Sequence, residues 1–298
     1  MRRMLLAVMA LAVLTTGWIY REQLINTGAS IKSGQAVVSL GQDLTPAQKN
    51  DIMSLFETKG NLSNVRIVTV TNAEERKYLQ GKIDENLIGT RAISCALLTG
   101  TAQGQGIEVQ THNINGVSPF MYANAANTAG IKDVQINVAA PFEVSGTAAL
   151  TGIIKAFELA SGNDLNEKAK ETANQEVAES SKLGQKIGQD QAGRFIYEVK
   201  KRVVEKKVTD PAEIRNIILQ VSAELNVNLS EDDITQIVNL MVNINNLNIN
   251  ITTLNQQLER LQTGIQEVRT GTEQTRGFMQ RIADFIKSLL QSIMGALS

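Results

Sequence analysis

The sequence predicts an α/β fold, an N-terminal α/β sandwich followed by an all-α helical region with a long C-terminal amphipathic, coiled-coil-like helix. Three observations predict it. Residues 133–162 read as strand, turn and helix: Val134, Ile136 and Val138 alternate with Gln135 and Asn137, and Leu150, Ile153, Ile154 and Phe157 then recur at helical spacing. The unbroken apolar run from Ala92 to Leu98 suits a central strand. From Asn163 onward strand-like runs disappear, and Glu, Lys, Gln and Ala dominate.

The chain opens on Arg2 and Arg3, followed by an uncharged run from Met4 to Tyr20. A basic start before such a run is the pattern of an export signal, either cleaved or retained as an anchor; Thr15 and Gly17 are small, but the A-x-A cleavage pattern is absent. The expected organisation is a signal peptide or N-terminal membrane anchor over residues 1–20, a tether over 21–35, an α/β domain over 36–162 and a helical domain over 163–298. The expected location is extracellular, secreted or membrane-anchored at the cell surface.

Ala36 to Leu40 reads as the first strand. Thr45 and Gln48 form a capping box around Pro46, and Ile52, Met53, Leu55 and Phe56 give the helix an apolar face before Gly60 stops it. Val65 to Val70 is a second strand, and Asn72 with Glu75 predicts the cap of a shorter helix. The order then recurs. Ile107 to Thr111 is a strand, Ser118-Pro119 opens a helix closed by Gly130, Val134 to Val138 is a strand ended by Ala139, Ala140 and Pro141, and Ser145 caps a helix that ends at Gly162. Thr45-Pro46 and Ser118-Pro119 lie 73 residues apart, from which we infer a duplicated βαβα unit that superposes as one topology.

Three stretches carry a resemblance: V-V-S-L-G-Q-D-L-T-P-A-Q-K (Val37 to Lys49), N-A-A-N-T-A-G-I-K-D (Asn124 to Asp133) and V-A-A-P-F-E-V-S-G-T-A-A-L-T-G (Val138 to Gly152). They resemble the YpuA-like family of exported bacterial proteins of unknown function. The resemblance implies export and a Gram-positive host, and brings no assigned catalytic residues.

In the helical half, Leu165 to Lys207 is polar through its first two-thirds and carries Gly184 and Gly188, which predicts a hinge before Phe195, Ile196, Val199, Val203 and Val204 restore an apolar face. Asp210-Pro211 and Ser230 open two further helices, the second with Glu231, Asp232 and Asp233 in its first turn, where acidic side chains complement the helix dipole. An Asn-rich break from Asn243 to Asn250 precedes a heptad seam from Leu254 to Ile293. Its last turns, from Phe278 to Leu297, place ten large apolar residues on one face, which calls for cover from the chain itself, another chain or a membrane surface.

With 298 residues, 43% of them hydrophobic, the chain can bury a sizeable core, and a net charge of -1 argues against a nucleic-acid partner. Cys95 lies in an apolar run and reads as a buried thiol. No metal site and no cofactor motif is expected: the single histidine, His112, has no evident ligand set, and the Gly-rich run after Thr99 lacks the Lys-Ser/Thr of a phosphate loop. Ser145, Gly146 and Thr147, at a helix start, are the candidate anion-binding group. Two functions are weighed. One is a non-enzymatic binding or assembly module of the cell envelope whose partner is an envelope protein or polymer, with possible contacts to a membrane surface or a second copy. The other is an exported hydrolase acting on wall or peptide material with Asp43, His112 and Glu143 as its loop residues.

Burying each of the ten apolar side chains is worth about 1.5–3 kcal/mol. Deleting residues 277–298 is therefore expected to lower the thermal midpoint and promote aggregation, measured by thermal unfolding with light scattering.

Overall fold

The computed structural model describes residues 30–60 and 62–247. The export run, Asn248, Asn250 and the heptad seam lie outside them. Five strands, β1 (Ala36–Gly41), β2 (Arg66–Val70), β3 (Cys95–Gly100), β4 (Ile107–Ile114) and β5 (Val134–Val144), form one sheet in the order β2-β1-β3-β5-β4. β1 and β2 pair in parallel, as do β4 and β5, and β3 runs antiparallel between β1 and β5. The helices are α1 (Pro46–Glu57), α2 (Asn72–Leu79), α3 (Glu85–Ile88), α4 (Pro119–Thr128), α5 (Thr147–Ser161), α6 (Glu167–Ile187), α7 (Gln189–Glu205), α8 (Pro211–Leu225) and α9 (Glu231–Asn245). Among the described residues no helix is long and apolar enough to cross a membrane.

Alternation along the strands builds two apolar faces. Val38, Leu40, Cys95, Leu97 and Ala139 meet Ile52 and Phe56 of α1 on one side. Val37, Ala96, Leu98, Ile136 and Val138 join Leu150, Ile153 and Phe157 of α5 on the other, in a core that continues through α4 into α6–α9. Helix α5 lies very close on β1 because Gly152 has no side chain: a Cβ there would run into the Ser39 hydroxyl.

Several caps fall where the sequence places them. Thr45 and Gln48 form a complete capping box, Ser118, Asp210 and Ser230 cap α4, α8 and α9, and Gly162 closes α5 in the left-handed conformation. Others shift. The box on α2 is Thr71 with Glu74, one residue before the expected Asn72 and Glu75. β5 continues through Pro141 to Val144, because the ladder is interrupted between His112 and Ile114 and the proline owes no N–H there. The N-cap of α5 is Gly146 at φ 90°, not Ser145, whose hydroxyl instead donates to the Leu87 carbonyl at 2.6 Å.

The two strand-helix-strand-helix units repeat in element order and in parallel pairing, but not in three-dimensional topology. Both step the same way along the sheet with their strands pointing the same way, yet α1 covers one face and α4 the other, so the two crossovers have opposite hand.

The expected hinge is a continuous helix. α6 runs 21 residues through Gly184, touches α2, α4, α7 and α9, and buries Ala173, Asn174, Glu176, Val177, Ser180 and Ser181. Its small side chains let neighbours approach, and the break comes only at Gly188, at φ 93°. Lys200 of α7 and Glu176 of α6 are fully buried and 3.1 Å apart; the ammonium also donates to Thr128 Oγ1 at 2.6 Å and to the Asn124 carbonyl at 2.9 Å on α4, and Thr128 donates to Glu176. Burial holds the Lys200 ammonium below its ordinary range, against the pull of Glu176.

Removing one partner would leave a buried charge uncompensated. Lys200→Ala is therefore expected to cost about 3–5 kcal/mol in chemical denaturation, whereas the apolar pair Lys200→Met with Glu176→Leu recovers most of that loss.

Candidate functional site

The four parallel strands end at one edge of the sheet, the position where open α/β sheets place their ligand crevices. A cavity of about 310 Å³ opens there between α3, the 89–94 loop, the end of β5 and the start of α5. It brings together Ser145, Gly146 and Thr147 with Glu75 of α2 and with Arg91. Ser145 and Thr147 hydroxyls stand 3.2 Å apart and both reach the Leu87 carbonyl, Thr147 at 3.0 Å. No side chain caps the first turn of α5. The turn itself is held by Tyr122, whose buried hydroxyl donates to the Gly146 carbonyl at 2.5 Å.

Glu75 is fully buried. Its Oε2 accepts from the Asn72 amide at 3.3 Å, and Oε1 has no partner among the described residues. Burial pushes the carboxyl up to about 7, outweighing Thr147, Asn72 and the nearby Arg76 guanidinium. Burial, with a smaller contribution from Glu75, raises the Tyr122 phenol well above its usual range. Glu74, one position along α2, lies part-exposed, accepts from Lys155 at 2.6 Å and closes the Thr71 cap. Cys95 is buried in the sheet, accepts from the Gly41 N–H, and burial pushes its thiol up to about 11.

The other three sequence candidates are dispersed. Asp43 Oδ2 accepts from the Ala92 N–H at 2.8 Å and ties the loop after β1 to the approach to β3. His112 lies exposed on the edge strand β4, and Glu143 is exposed near the end of β5. Among the described residues no hydrogen bond or ion pair joins any two of Asp43, His112 and Glu143. No cluster of three His, Cys, Asp or Glu side chains able to hold a metal occurs among the described residues.

A wider groove of about 880 Å³ runs between the start of α4 and the α6–α7 junction. Asn115, Ser118, Gln189, Gln191, Arg194 and Glu198 line it over a floor of Phe120 and Tyr197, whose rings meet edge-on at 5.6 Å. Ser118 donates to the Gln189 carbonyl at 3.5 Å and Gln191 to the Leu225 carbonyl at 3.3 Å, so its wall joins the α/β layer to the helical half.

Sequence reasoning missed Glu75, Lys200 and Glu176. For Lys200 a signal existed: it falls four residues after Ile196 and three before Val203, on the apolar face of α7. For Glu75 none did, because the short, charged α2 gives no indication of which of two adjacent glutamates turns inward.

Residues 40–261 match the family described as "Protein of unknown function (DUF1002)". The chain is 42% identical to "Uncharacterized protein YpuA" of Bacillus subtilis (strain 168) over 208 residues, covering 70% of this chain and 71% of that protein. No solved structure matches.

Because the folded protein holds the Glu75 proton more tightly than the unfolded chain, this group's contribution to stability is full below pH 4.5 and is lost as the pH rises through about 7. Glu75→Gln is expected to remove that decline, leaving the variant more stable than the parent at pH 8. Urea midpoints measured across the pH range check it.

Proposed function

The chain belongs to the DUF1002 family, whose function is unknown, and we propose that it is an exported, cell-envelope-associated binding module that receives an envelope protein or polymer in the groove between α4 and α7. The groove carries the reading. Its amides and hydroxyls donate and accept hydrogen bonds without acid-base chemistry near neutral pH, and Arg194 and Glu198 add charge of both signs, a lining suited to a polar partner. Its walls come from two halves locked together by the buried Lys200 pair, so the groove is preorganised. Arg2, Arg3 and the run from Met4 to Tyr20 support export, and the apolar face from Phe278 to Leu297 supports attachment to its own chain, a second copy or a membrane surface.

Fractionation of cells expressing the full chain is expected to place it in the envelope or the medium; intact protein in the cytosol alone overturns export. Arg194→Glu is expected to weaken co-sedimentation with purified cell-wall sacculi or envelope extract by about tenfold, or about 1.4 kcal/mol, without moving the thermal midpoint. Retained co-sedimentation would remove the groove from the interaction.

A further inference from the structure

Apart from the groove, the cavity at the sheet edge has a chemistry of its own. We propose that it is a binding site for a small carboxylate, in which Glu75 and the ligand's carboxylate share one proton at the N-terminus of α5.

Three independent features converge. α5 is a 15-residue helix that begins at Gly146 with no side-chain acceptor for its first N–H groups, so its positive end faces the cavity uncapped. Glu75 lines the same cavity, is fully buried, and keeps Oε1 without a hydrogen-bond partner among the described residues. Arg91, exposed at the rim, adds a guanidinium suited to a carboxylate.

The charged and titratable groups around Glu75 select the ligand's sign. α2 contributes Arg76, held 2.7 Å from Glu85 of α3, and Glu74, engaged by Lys155 of α5; α4 contributes Tyr122, and the 89–94 loop contributes Arg91. A cation would meet the Arg91 guanidinium and a positive helix end. An anion meets those as attractions and one carboxyl as an obstacle, and the obstacle disappears when that carboxyl is protonated. The neutral acid then donates its O–H to the ligand oxygen, as paired carboxyls do when they cannot both ionise. One proton suffices for a monocarboxylate, whereas a phosphate dianion would leave a second charge against Glu75. Thr147 lines the same cavity, its hydroxyl donated to the Leu87 carbonyl at 3.0 Å.

Calorimetric titration of the full chain with acetate tests this. Acetate is expected to bind at pH 5.5 without proton exchange. Above about pH 7 its affinity should fall about tenfold per pH unit, with uptake of about one proton, read from the heat in buffers of different ionisation enthalpy. Glu75→Gln keeps a donor and loses the charge, so its acetate affinity should be the same at pH 5.5 and 8.5. Arg91→Ala, at an exposed position, should weaken binding while retaining the pH dependence, and keeps the test open if the Glu75 variant does not fold. The proposal is overturned if acetate gives no heat at pH 5.5, if the parent's affinity is independent of pH, or if methylammonium or inorganic phosphate binds more tightly than acetate.

Discussion

The buried ammonium of Lys200 is the constraint on which the arrangement of the two halves depends. A charge taken out of water must find its partners at fixed positions, and here they come from two different helices: Glu176 on α6, and Thr128 with the Asn124 carbonyl on α4. α4 belongs to the sheet layer and α6 and α7 to the helical half, so satisfying one charge sets the register of one half on the other. Apolar packing alone tolerates sliding; a desolvated ion pair with directed hydrogen bonds does not. The groove between α4 and α7 inherits its shape from that register.

The second constraint lies in β3. An antiparallel strand between two parallel pairs leaves β1, β2, β4 and β5 ending at one edge, where the start of α5 meets α3 and the 89–94 loop. Close packing of Gly152 against Ser39 and the Tyr122 bond to Gly146 hold the first turn of α5 in place. The burial of Glu75 is a consequence of that packing. With α2 pressed between α5 and α6, one of its two adjacent glutamates faces solvent and Lys155 while the other is carried inward, and lost hydration raises its pKa. Stability and site chemistry are thus coupled through a single carboxyl.

Signals that act between chain neighbours were legible without coordinates. Thr45 with Gln48, Ser118-Pro119, Asp210-Pro211 and Gly162 mark helix ends because cap bonds and left-handed turns span only a few residues. The alternation in β5 and the apolar run that becomes β3 identified strands for the same reason. Where the cap lies one residue from the expected one, at Thr71 rather than Asn72 and at Gly146 rather than Ser145, the expected residue is drawn into another contact: Asn72 bonds Glu75 and the Gly89 carbonyl, and Ser145 bonds the Leu87 carbonyl.

By itself the sequence determined the α/β-then-helical order of the chain, its five strands and the caps of α1, α4, α8 and α9, and it drew attention to the start of α5. Only the tertiary structure decided that α1 and α4 cover opposite faces of the sheet, that polar α6 is a central helix, and that Glu75 and Lys200 are buried while His112 and Glu143 are exposed. The physical reason is common to all of them. Handedness of a crossover, burial of a polar side chain and the energy of a charge depend on what lies across space from it, and residues such as Glu176 and Lys200 acquire their partners from positions 24 or more residues away.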